Sequence, residues 1–266
     1  SVWSGCQPAP AASFRPVSAI VHGPGEGERL GTHILVKLDR PELCVTEATV
    51  GPDFAGAGPH YHERHVDMFY VLEGELELTA GTERLRAGPG TSVAVPPGIV
   101  HSFTSSGPGT TRYLNLHAPD SGFVEYLRRR IAGDKTAGFD SIDVAEPRGP
   151  AEADILEAGG GERLESSVRT ITVRSAQPQV CFLEFEGREG FGPIPPHQHD
   201  AKVDSFYVLE GELGLWANGG EARFGPGTFV AAPPGEEHGI LRIESPVRFL
   251  NIHAPDDGFA AFVRGA

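Results

Sequence analysis

The sequence predicts an all-β protein made of two tandem domains. Residues 43–50 are a β-rich run, and residues 68–78 are strand-like but broken by a Glu-Gly-Glu turn, which is typical of short strands. The 266 residues include 35 glycines and 23 prolines, as expected where many turns connect such strands. An internal repeat also divides the chain, because His60 and His197 begin similar segments 137 residues apart. These observations favour two β-sandwiches or barrels with few helices.

The predicted strands occur in pairs, with one member in each half of the chain. These pairs are 43–50 and 180–186, 68–78 and 205–215, 92–95 and 229–232, and 112–116 and 248–252. Each half then ends in an amphipathic segment, residues 122–132 and 258–264, in which apolar residues follow helical spacing. We therefore expect one short helix at the C-terminal end of each domain.

The composition of the chain divides it into four consecutive regions. Residues 1–13 are rich in Pro, Ala and Ser and predict an N-terminal arm. The first domain is expected over 14–132 and the second over 151–266. The stretch 133–150 between them contains charges, Gly and Pro, and is predicted to be the linker.

Charge and cysteine content limit the classes of protein that the sequence supports. The formal net charge of −14 argues against binding to nucleic acid or to an anionic membrane, since both need clustered Lys and Arg. No stretch approaches the roughly 18 apolar residues of a membrane span, and no secretory signal pattern is found, so a cytoplasmic protein is expected. Cys44 and Cys181 hold equivalent positions in the two halves and are predicted to be buried thiols, whereas Cys6 lies in the arm.

Two sets of candidate metal ligands have the same spacing. Each set contains a His-x-His pair, then an aspartate, then a third histidine. The sets are His60, His62, Asp67 and His101, and His197, His199, Asp204 and His238. Alternate side chains of a strand share a face, so both histidines of a pair can contact one ion, while the other two ligands are expected from two further strands. Because the whole set occurs twice in fixed register, we interpret each as a metal site rather than as chance histidines.

Three imidazoles and one carboxylate do not specify the ion. The ligands suit one divalent transition metal per domain, and Mn, Fe, Co, Ni, Cu and Zn are all compatible. Four protein ligands leave about two positions of an octahedral ion free for water, O₂ or substrate, which favours a catalytic metal over a structural one. Asp67 and Asp204 are also predicted to be catalytic, as bases that act after detaching from the metal.

The order of these residues resembles the two sequence motifs of the cupin family. The ligands are accompanied in both halves by motif glycines and prolines at matching positions: Gly74, Gly90, Pro96 and Gly98, and Gly211, Gly227, Pro233 and Gly235. The resemblance to a duplicated cupin, or bicupin, covers nearly the full chain. It implies two double-stranded β-helix (jelly-roll) barrels, each with a metal inside. Asp67 and Asp204 depart from the family pattern, which has Glu, and Phe54 and Phe191 replace a customary glycine.

Strand alternation also predicts which residues line the two cavities. Phe69 and Phe103 in the first domain, and Phe206 and Ile240 in the second, share the face of the ligands. One cavity is therefore expected to have an aromatic wall where the other has an aliphatic one, so the two sites can accept different ligands.

Three further pairs of residues are equivalent in the two halves, and for each we favour a structural role. They are Tyr70 and Tyr207, Glu47 and Glu184, and His117 and His253. The tyrosines fall on the face opposite the aspartates, which favours packing. The histidines precede a proline at a domain end, which favours capping or packing over ligation. The glutamates are expected to face solvent on edge strands, and the alternative is a buried carboxylate that shuttles a proton.

The predicted function is that of a metal-dependent enzyme acting on a small molecule, as a monomer or a homodimer. Bicupins that resemble this chain include quercetin-type flavonol dioxygenases, which implies oxidation of an enolisable or aromatic compound by O₂. The alternative enzyme is an isomerase, lyase or decarboxylase for a sugar acid or dicarboxylate, with Arg64 or Lys202 binding the anion. A metal-dependent binding protein without turnover is the third hypothesis.

Overall fold

The structure is a computed structural model that describes residues 18–150 and 152–265, so the predicted arm (1–13) and Cys6 lie outside the described residues. The first half contains β1 (Ile20–His22), β2 (Glu28–Leu30), β3 (Ile34–Arg40), β4 (Leu43–Val50), β5 (Ala57–Tyr61), β6 (Val66–Glu73), β7 (Glu75–Ala80), β8 (Glu83–Ala87), β9 (Ser92–Val95), β10 (His101–Ser106), β11 (Thr111–Ala118), α1 (Phe123–Ile131) and β12 (Ile142–Asp143). The second half contains β13 (Asp154–Leu156), β14 (Glu162–Glu165), β15 (Arg169–Gln177), β16 (Val180–Gly187), β17 (Ile194–His197), β18 (Val203–Glu210), β19 (Leu213–Ala217), β20 (Gly220–Phe224), β21 (Phe229–Ala232), β22 (His238–Ile240), β23 (Val247–Ala254) and α2 (Phe259–Gly265).

Each half folds into two antiparallel sheets around its own apolar core. The first barrel has a seven-stranded sheet of order β13-β9-β6-β11-β4-β3-β2 and a five-stranded sheet of order β12-β5-β10-β7-β8. The second has a seven-stranded sheet of order β1-β21-β18-β23-β16-β15-β14 and a four-stranded sheet of order β17-β22-β19-β20. This arrangement confirms the predicted all-β fold with two jelly-roll barrels. A short helix follows the last long strand of each half, as predicted, and neither of these two described helices is long and apolar enough to cross a membrane.

Alternation along the seven-stranded sheets produces two separate apolar environments. On β6, Phe69 and Val71 point into the first barrel, whereas Met68 and Tyr70 point out of it. The outward-pointing residues pack against their equivalents from the second half, including Tyr207, so an apolar cluster joins the two barrels. Tyr70 and Tyr207 are both 1% exposed, which confirms that they pack. The prediction of buried thiols is also confirmed, since both described cysteines are fully buried.

The two halves exchange one strand each. β1, from the first half, pairs with β21 of the second, and β13, from the second half, pairs with β9 of the first. Each exchanged strand therefore covers an edge that would otherwise leave backbone groups unpaired. Both strands are only three residues long, which explains why no sequence pattern indicated the exchange.

The predicted linker, 133–150, contributes to the first barrel. Its residues Ile142–Asp143 form β12 and pair with β5, opposite Tyr61 and His60. Asp140 is 8% exposed and lies beside the first set of candidate ligands, since its backbone carbonyl is within hydrogen-bond distance of His62 Nδ1. This part of the linker is therefore a component of the first site as well as a connection.

The prediction that Glu47 and Glu184 face solvent on edge strands is wrong. β4 and β16 each lie between two other strands, and the seven-stranded sheets pack face to face, so both faces of these strands are covered. Glu47 is 5% exposed and accepts from the Tyr207 hydroxyl of the other half at 3.2 Å; Glu184 is 7% exposed and accepts from Tyr70 at 3.4 Å. The pairing of buried charge with cations from the same sheet makes this burial tolerable.

Lysine and arginine side chains supply these cations. Lys37 Nζ lies 3.3 Å and Arg112 Nη1 3.2 Å from Glu47. Around Glu184, Arg248 Nη1 lies at 3.0 Å and Arg174 Nη1 at 3.9 Å. The interface between the barrels thus contains two related clusters, each a carboxylate with two cations from its own half and a tyrosine from the other.

The turns after β6 and β18 explain one pair of repeated glycines, Gly74 and Gly211. Gly74 and Gly211 both have φ of 74°, a region that side chains other than glycine rarely adopt. A Cβ at either position would also collide with a backbone carbonyl, that of Thr110 or Pro246. The turn requires these glycines independently of any metal chemistry.

Candidate metal centres

The four candidate ligands of the first half meet inside the first barrel. His60 on β5 is paired with His101 on β10, while His62 follows β5 and Asp67 lies on β6. The centroids of the three imidazoles are separated by 4.3, 4.9 and 5.0 Å. One nitrogen or oxygen of each residue lies within 4.8 Å of the others, a spacing from which one ion can contact all four.

The second half reproduces this arrangement with the equivalent strands. His197 on β17 is paired with His238 on β22, and Asp204 lies on β18. The imidazoles of His197, His199 and His238 have centroid separations of 4.5, 5.1 and 5.1 Å. All eight residues predicted from the repeat are therefore brought together in two groups of four.

Each aspartate directs one oxygen, Oδ2, at the candidate-ligand imidazoles of its own barrel. Asp67 Oδ2 lies 3.1 Å from His101 Nε2, while its Oδ1 accepts a hydrogen bond of 2.6 Å from Asn115. In the second barrel, Asn251 donates to Oδ1 of Asp204 at the same distance of 2.6 Å. The amide thus fixes the carboxylate so that Oδ2 alone is directed at the position of an ion.

The surroundings of the aspartates keep both ionised. Burial alone would raise the pKa of Asp204, but His253, His238 and Asn251 lower it to about 2. Burial likewise opposes ionisation of Asp67, yet neighbouring histidines, His117 first, hold its pKa well below the usual range. An ionised carboxylate only accepts hydrogen bonds, and it is the form that a metal binds.

Backbone carbonyls orient five of the six imidazoles, since His62 Nδ1 lies within hydrogen-bond distance of the Asp140 carbonyl and four more have a carbonyl near in sequence. In these four, Nδ1 lies within hydrogen-bond distance of the carbonyl two residues earlier: His60 of Gly58 O at 2.8 Å, and His101, His197 and His238 of Ile99, Pro195 and Glu236 O at 3.0 Å. A neutral imidazole that donates from Nδ1 leaves the Nε2 lone pair free for a metal. In His62 and His199, Nε2 is buried without a hydrogen-bond partner among the described residues. Buried nitrogens of this kind fit a bound cation.

Two residue pairs support the aspartates, and sequence reasoning missed the first of them. Asn115 and Asn251 were not singled out, although both recur in the repeated segment before the Ala-Pro dipeptide. His117 and His253 share the inward face of the same strands, and their Nε2 atoms lie 3.4 and 3.2 Å from the Asp67 and Asp204 Oδ1 atoms. These histidines stand behind the carboxylates and outside the two groups of candidate ligands.

Asn251→Leu is expected to lower metal affinity in the second barrel by about 10- to 100-fold, because Asp204 loses the donor that fixes its orientation. Competition of the bound metal against a chromophoric chelator would measure the change. Asn115→Leu is the matched control and should weaken the other site alone. Equal weakening of both sites by either variant would contradict the role assigned to the amides.

The two cavities beside these groups differ in volume and lining. The first has a volume of about 290 Å³ and is lined in part by Phe103, Phe123, Tyr126 and Phe139. The second has a volume of about 560 Å³ and a mainly apolar lining that includes Phe206 and Ile240. Of the four predicted pocket residues, three line a cavity. Phe69 instead packs behind Phe103, with 4.9 Å between the ring centroids.

The two predicted anion-binding cations occupy different environments. The Arg64 side chain is 73% exposed and is directed toward Asp140, at 3.7 Å. Lys202 is 8% exposed and lines the second cavity. The second barrel also admits more solvent to its imidazoles, since His197 is exposed and His199 partly exposed, whereas all four ligands of the first group are buried. The second barrel therefore offers the larger and more accessible site.

Comparison with protein-family models matches the family described as Cupin domain in two regions, residues 46–117 and 185–253. This chain is a bicupin, a member of the cupin family. The two matched regions contain both sets of candidate ligands, with Asp67 and Asp204 in place of the customary Glu.

Other proteins share sequence or fold with this bicupin. It is 26% identical over 215 residues to quercetin 2,3-dioxygenase of Bacillus subtilis, a match that covers 67% of this chain and spans 64% of the length of that enzyme. A salicylate 1,2-dioxygenase from Pseudoaminobacter salicylatoxidans, solved with gentisate, is similar with a TM-score of 0.62 at 13% identity, over 95% of this chain and 86% of that one. A Pseudomonas aeruginosa protein provisionally described as glyoxylate-induced has a TM-score of 0.63 at 17% identity, over 94% and 93%. The solved structures support the fold.

Proposed function

We propose that this bicupin is a metal-dependent oxidoreductase of the dioxygenase type, which acts on a small enolisable or aromatic compound in the second barrel. The observation that carries the proposal is the mainly apolar cavity of about 560 Å³ in which His197, His199, Asp204 and His238 all take part. A cavity of this volume encloses most of an aromatic molecule and can bring a polar group of it to the imidazoles. The similarity to quercetin 2,3-dioxygenase supports the same class of reaction.

The proposed ligands of a divalent transition metal are the three histidines and the aspartate of each barrel, and their nitrogen and oxygen donors suit Mn, Fe, Co, Ni, Cu or Zn. A bound ion of this kind supplies Lewis acidity toward an enolate oxygen and, where it is redox-active, a path for electrons to O₂. In the first barrel the cavity of about 290 Å³ suits a smaller ligand or a structural ion.

Protein side chains would position the substrate and handle its proton. Asn251 holds Oδ1 of Asp204, so Oδ2, once it has detached from the metal, would be the oxygen that receives a proton from a substrate hydroxyl. Its low pKa makes Asp204 a weak base, and a proton would therefore transfer fully only as the enolate is stabilised at the site. The apolar wall that includes Phe206 and Ile240 excludes water from the reacting ring.

Oxygen consumption tests this proposal. Purified protein loaded separately with each candidate metal would be mixed with a panel of flavonols and phenolic acids under air in an oxygen-electrode cell. We expect O₂ uptake in proportion to substrate consumed, with at least one metal, and loss of uptake after chelation. Absence of uptake with every metal and substrate class would contradict the oxidative reaction.

The alternative enzyme class, a non-oxidative isomerase, lyase or decarboxylase, is supported by one observation. Lys202 lines the second cavity and could bind the carboxylate of a sugar acid or dicarboxylate. Product formation from such an acid under nitrogen would favour this class. A small molecule retained through purification, with no turnover in air or nitrogen, would favour the binding protein.

A further inference from the structure

The loop before β6 holds a carboxylate from the linker. Asp140 Oδ1 accepts a hydrogen bond from the backbone N–H of Glu63 at 3.2 Å, and its Oδ2 accepts one from the backbone N–H of Arg64 at 2.9 Å. Oδ2 also lies 3.0 Å from Nδ1 of His65, a side chain that is fully buried. Two backbone N–H groups and one side chain thus form a carboxylate cradle in the first barrel.

An aromatic ring accompanies this carboxylate. Phe139, the residue before Asp140, lies 5.8 Å from the imidazole of His62 and 4.8 Å from the ring of Tyr126, measured between centroids. Phe139 also lines the first cavity. Two consecutive linker residues therefore place a ring near a candidate metal ligand and a carboxylate in the cradle.

The second barrel has the same loop but no equivalent of Asp140 within the described residues. The equivalent positions, 137 residues later, are Asp200, Ala201 and Lys202. Residues 200 and 201 form bends before β18, just as 63 and 64 do before β6. No acidic side chain forms an ion pair with Lys202, and no acceptor pairs with the N–H groups of 200 and 201, in the part of the chain that the structure describes. The cavity beside this second cradle has about twice the volume of the first, about 560 against 290 Å³.

Lys202 has too few partners for a lysine that is only 8% exposed. Its ammonium lies 5.3 Å from the ring centroid of Phe259, which attracts a cation but does not replace an anionic acceptor. Lysines this buried are almost always paired with an anion. Because Lys202 also lines the cavity, the missing anion can be supplied by a bound molecule.

We propose that the second cavity binds an aromatic carboxylate, with its carboxylate on the ammonium of Lys202 and the N–H groups of 200 and 201, and its ring near His199. The Phe139–Asp140 pair of the first barrel is the intramolecular counterpart of this ligand. The negative charge of Asp200 is compatible with such binding, since Glu63 holds the equivalent position beside Asp140. The inference names a substrate class for the proposed function and rests on that function only in treating this cavity as the substrate site.

Calorimetric titration of the full chain with 2-naphthoate and its neutral analogue 2-naphthamide tests the proposal. Both metal-loaded and chelator-treated protein would be used, because direct coordination of the carboxylate to a metal requires the ion whereas binding to Lys202 does not. Wild-type protein is expected to bind the naphthoate at least about tenfold more tightly than the amide in both forms. Lys202→Gln should remove this preference but retain binding of the amide, and Lys202→Arg should keep most of it.

Arg64→Gln is the matched control, since Arg64 is the cation of the equivalent loop in the first barrel, and it should leave the preference unchanged. Equal affinity for the two probes, or a preference that survives Lys202→Gln, would overturn the inference. A preference that appears only with metal bound would also overturn it. Carboxylate preference without any O₂ uptake would contradict the proposed oxidative function alone, whereas O₂ uptake from neutral flavonols without carboxylate preference would contradict this inference alone.

Discussion

Replacement of His238 by alanine (His238→Ala) is expected to remove about one metal ion per chain and to lower kcat/KM for the oxidised substrate by at least about 100-fold. His238 Nε2 lies 3.0 Å from Asp204 Oδ2, and its Nδ1 is within hydrogen-bond distance of the Glu236 carbonyl, so the imidazole is fixed on the proposed ion. Loss of one of four protein ligands weakens the site, so we expect the ion to be lost when the protein is dialysed against a chelator. Elemental analysis of dialysed protein, together with oxygen-electrode rates, measures both effects.

The internal repeat supplies a matched control for this change. His101→Ala removes the equivalent ligand from the first barrel, where Nε2 lies 3.1 Å from Asp67. It should also remove about one ion per chain but leave most of the turnover, because the larger cavity lies in the second barrel. Metal content unaffected by either variant would contradict the ligand assignment. A greater loss of rate from His101→Ala than from His238→Ala would move the proposed reaction to the first barrel.

The repeat made the ligand groups predictable because each half contains the same residues in the same register. His60 and His62 were expected to share one face of a strand end, and the expected convergence of further strands brings His101 opposite His60. Side-chain alternation also predicted that Tyr70 packs outside the barrel, since it differs by an odd number of residues from Asp67. These predictions depend on local geometry that a strand imposes on any sequence.

Features that depend on contacts between the halves were not predictable in this way. The polarity of Glu47 suggested solvent exposure, and only the face-to-face packing of the sheets shows that Lys37 and Tyr207 bury it. The role of Asp140 was missed for a similar reason. A linker rich in Gly, Pro and charge gives no sequence signal that one of its acids will reach His65, 75 residues earlier in the chain.

Glu47→Ala is expected to lower the free energy of unfolding by about 3 kcal/mol, because it leaves a buried ammonium without its carboxylate. The Lys37 side chain is 0% exposed, and its Nζ then retains carbonyl partners such as Glu26 O at 2.8 Å but no anion. Urea unfolding followed by circular dichroism measures the change. The Glu73→Ala variant is the control, since Glu73 contacts the same Arg112 at 3.6 Å but its side chain is 67% exposed.

An exposed ion pair contributes at most about 1 kcal/mol, so Glu73→Ala should have little effect, and comparable losses from both variants would contradict the importance of burial.

The hydroxyl of Tyr207 donates to Glu47 from the other barrel at 3.2 Å, so the two residues should also be coupled across the interface. In a double-mutant cycle, Tyr207→Phe is expected to be less destabilising when Glu47 is already alanine than in the wild type. Strict additivity would show that the cluster stabilises the first barrel alone. A coupling energy of roughly 0.5 kcal/mol or more would show that it also holds the two barrels together.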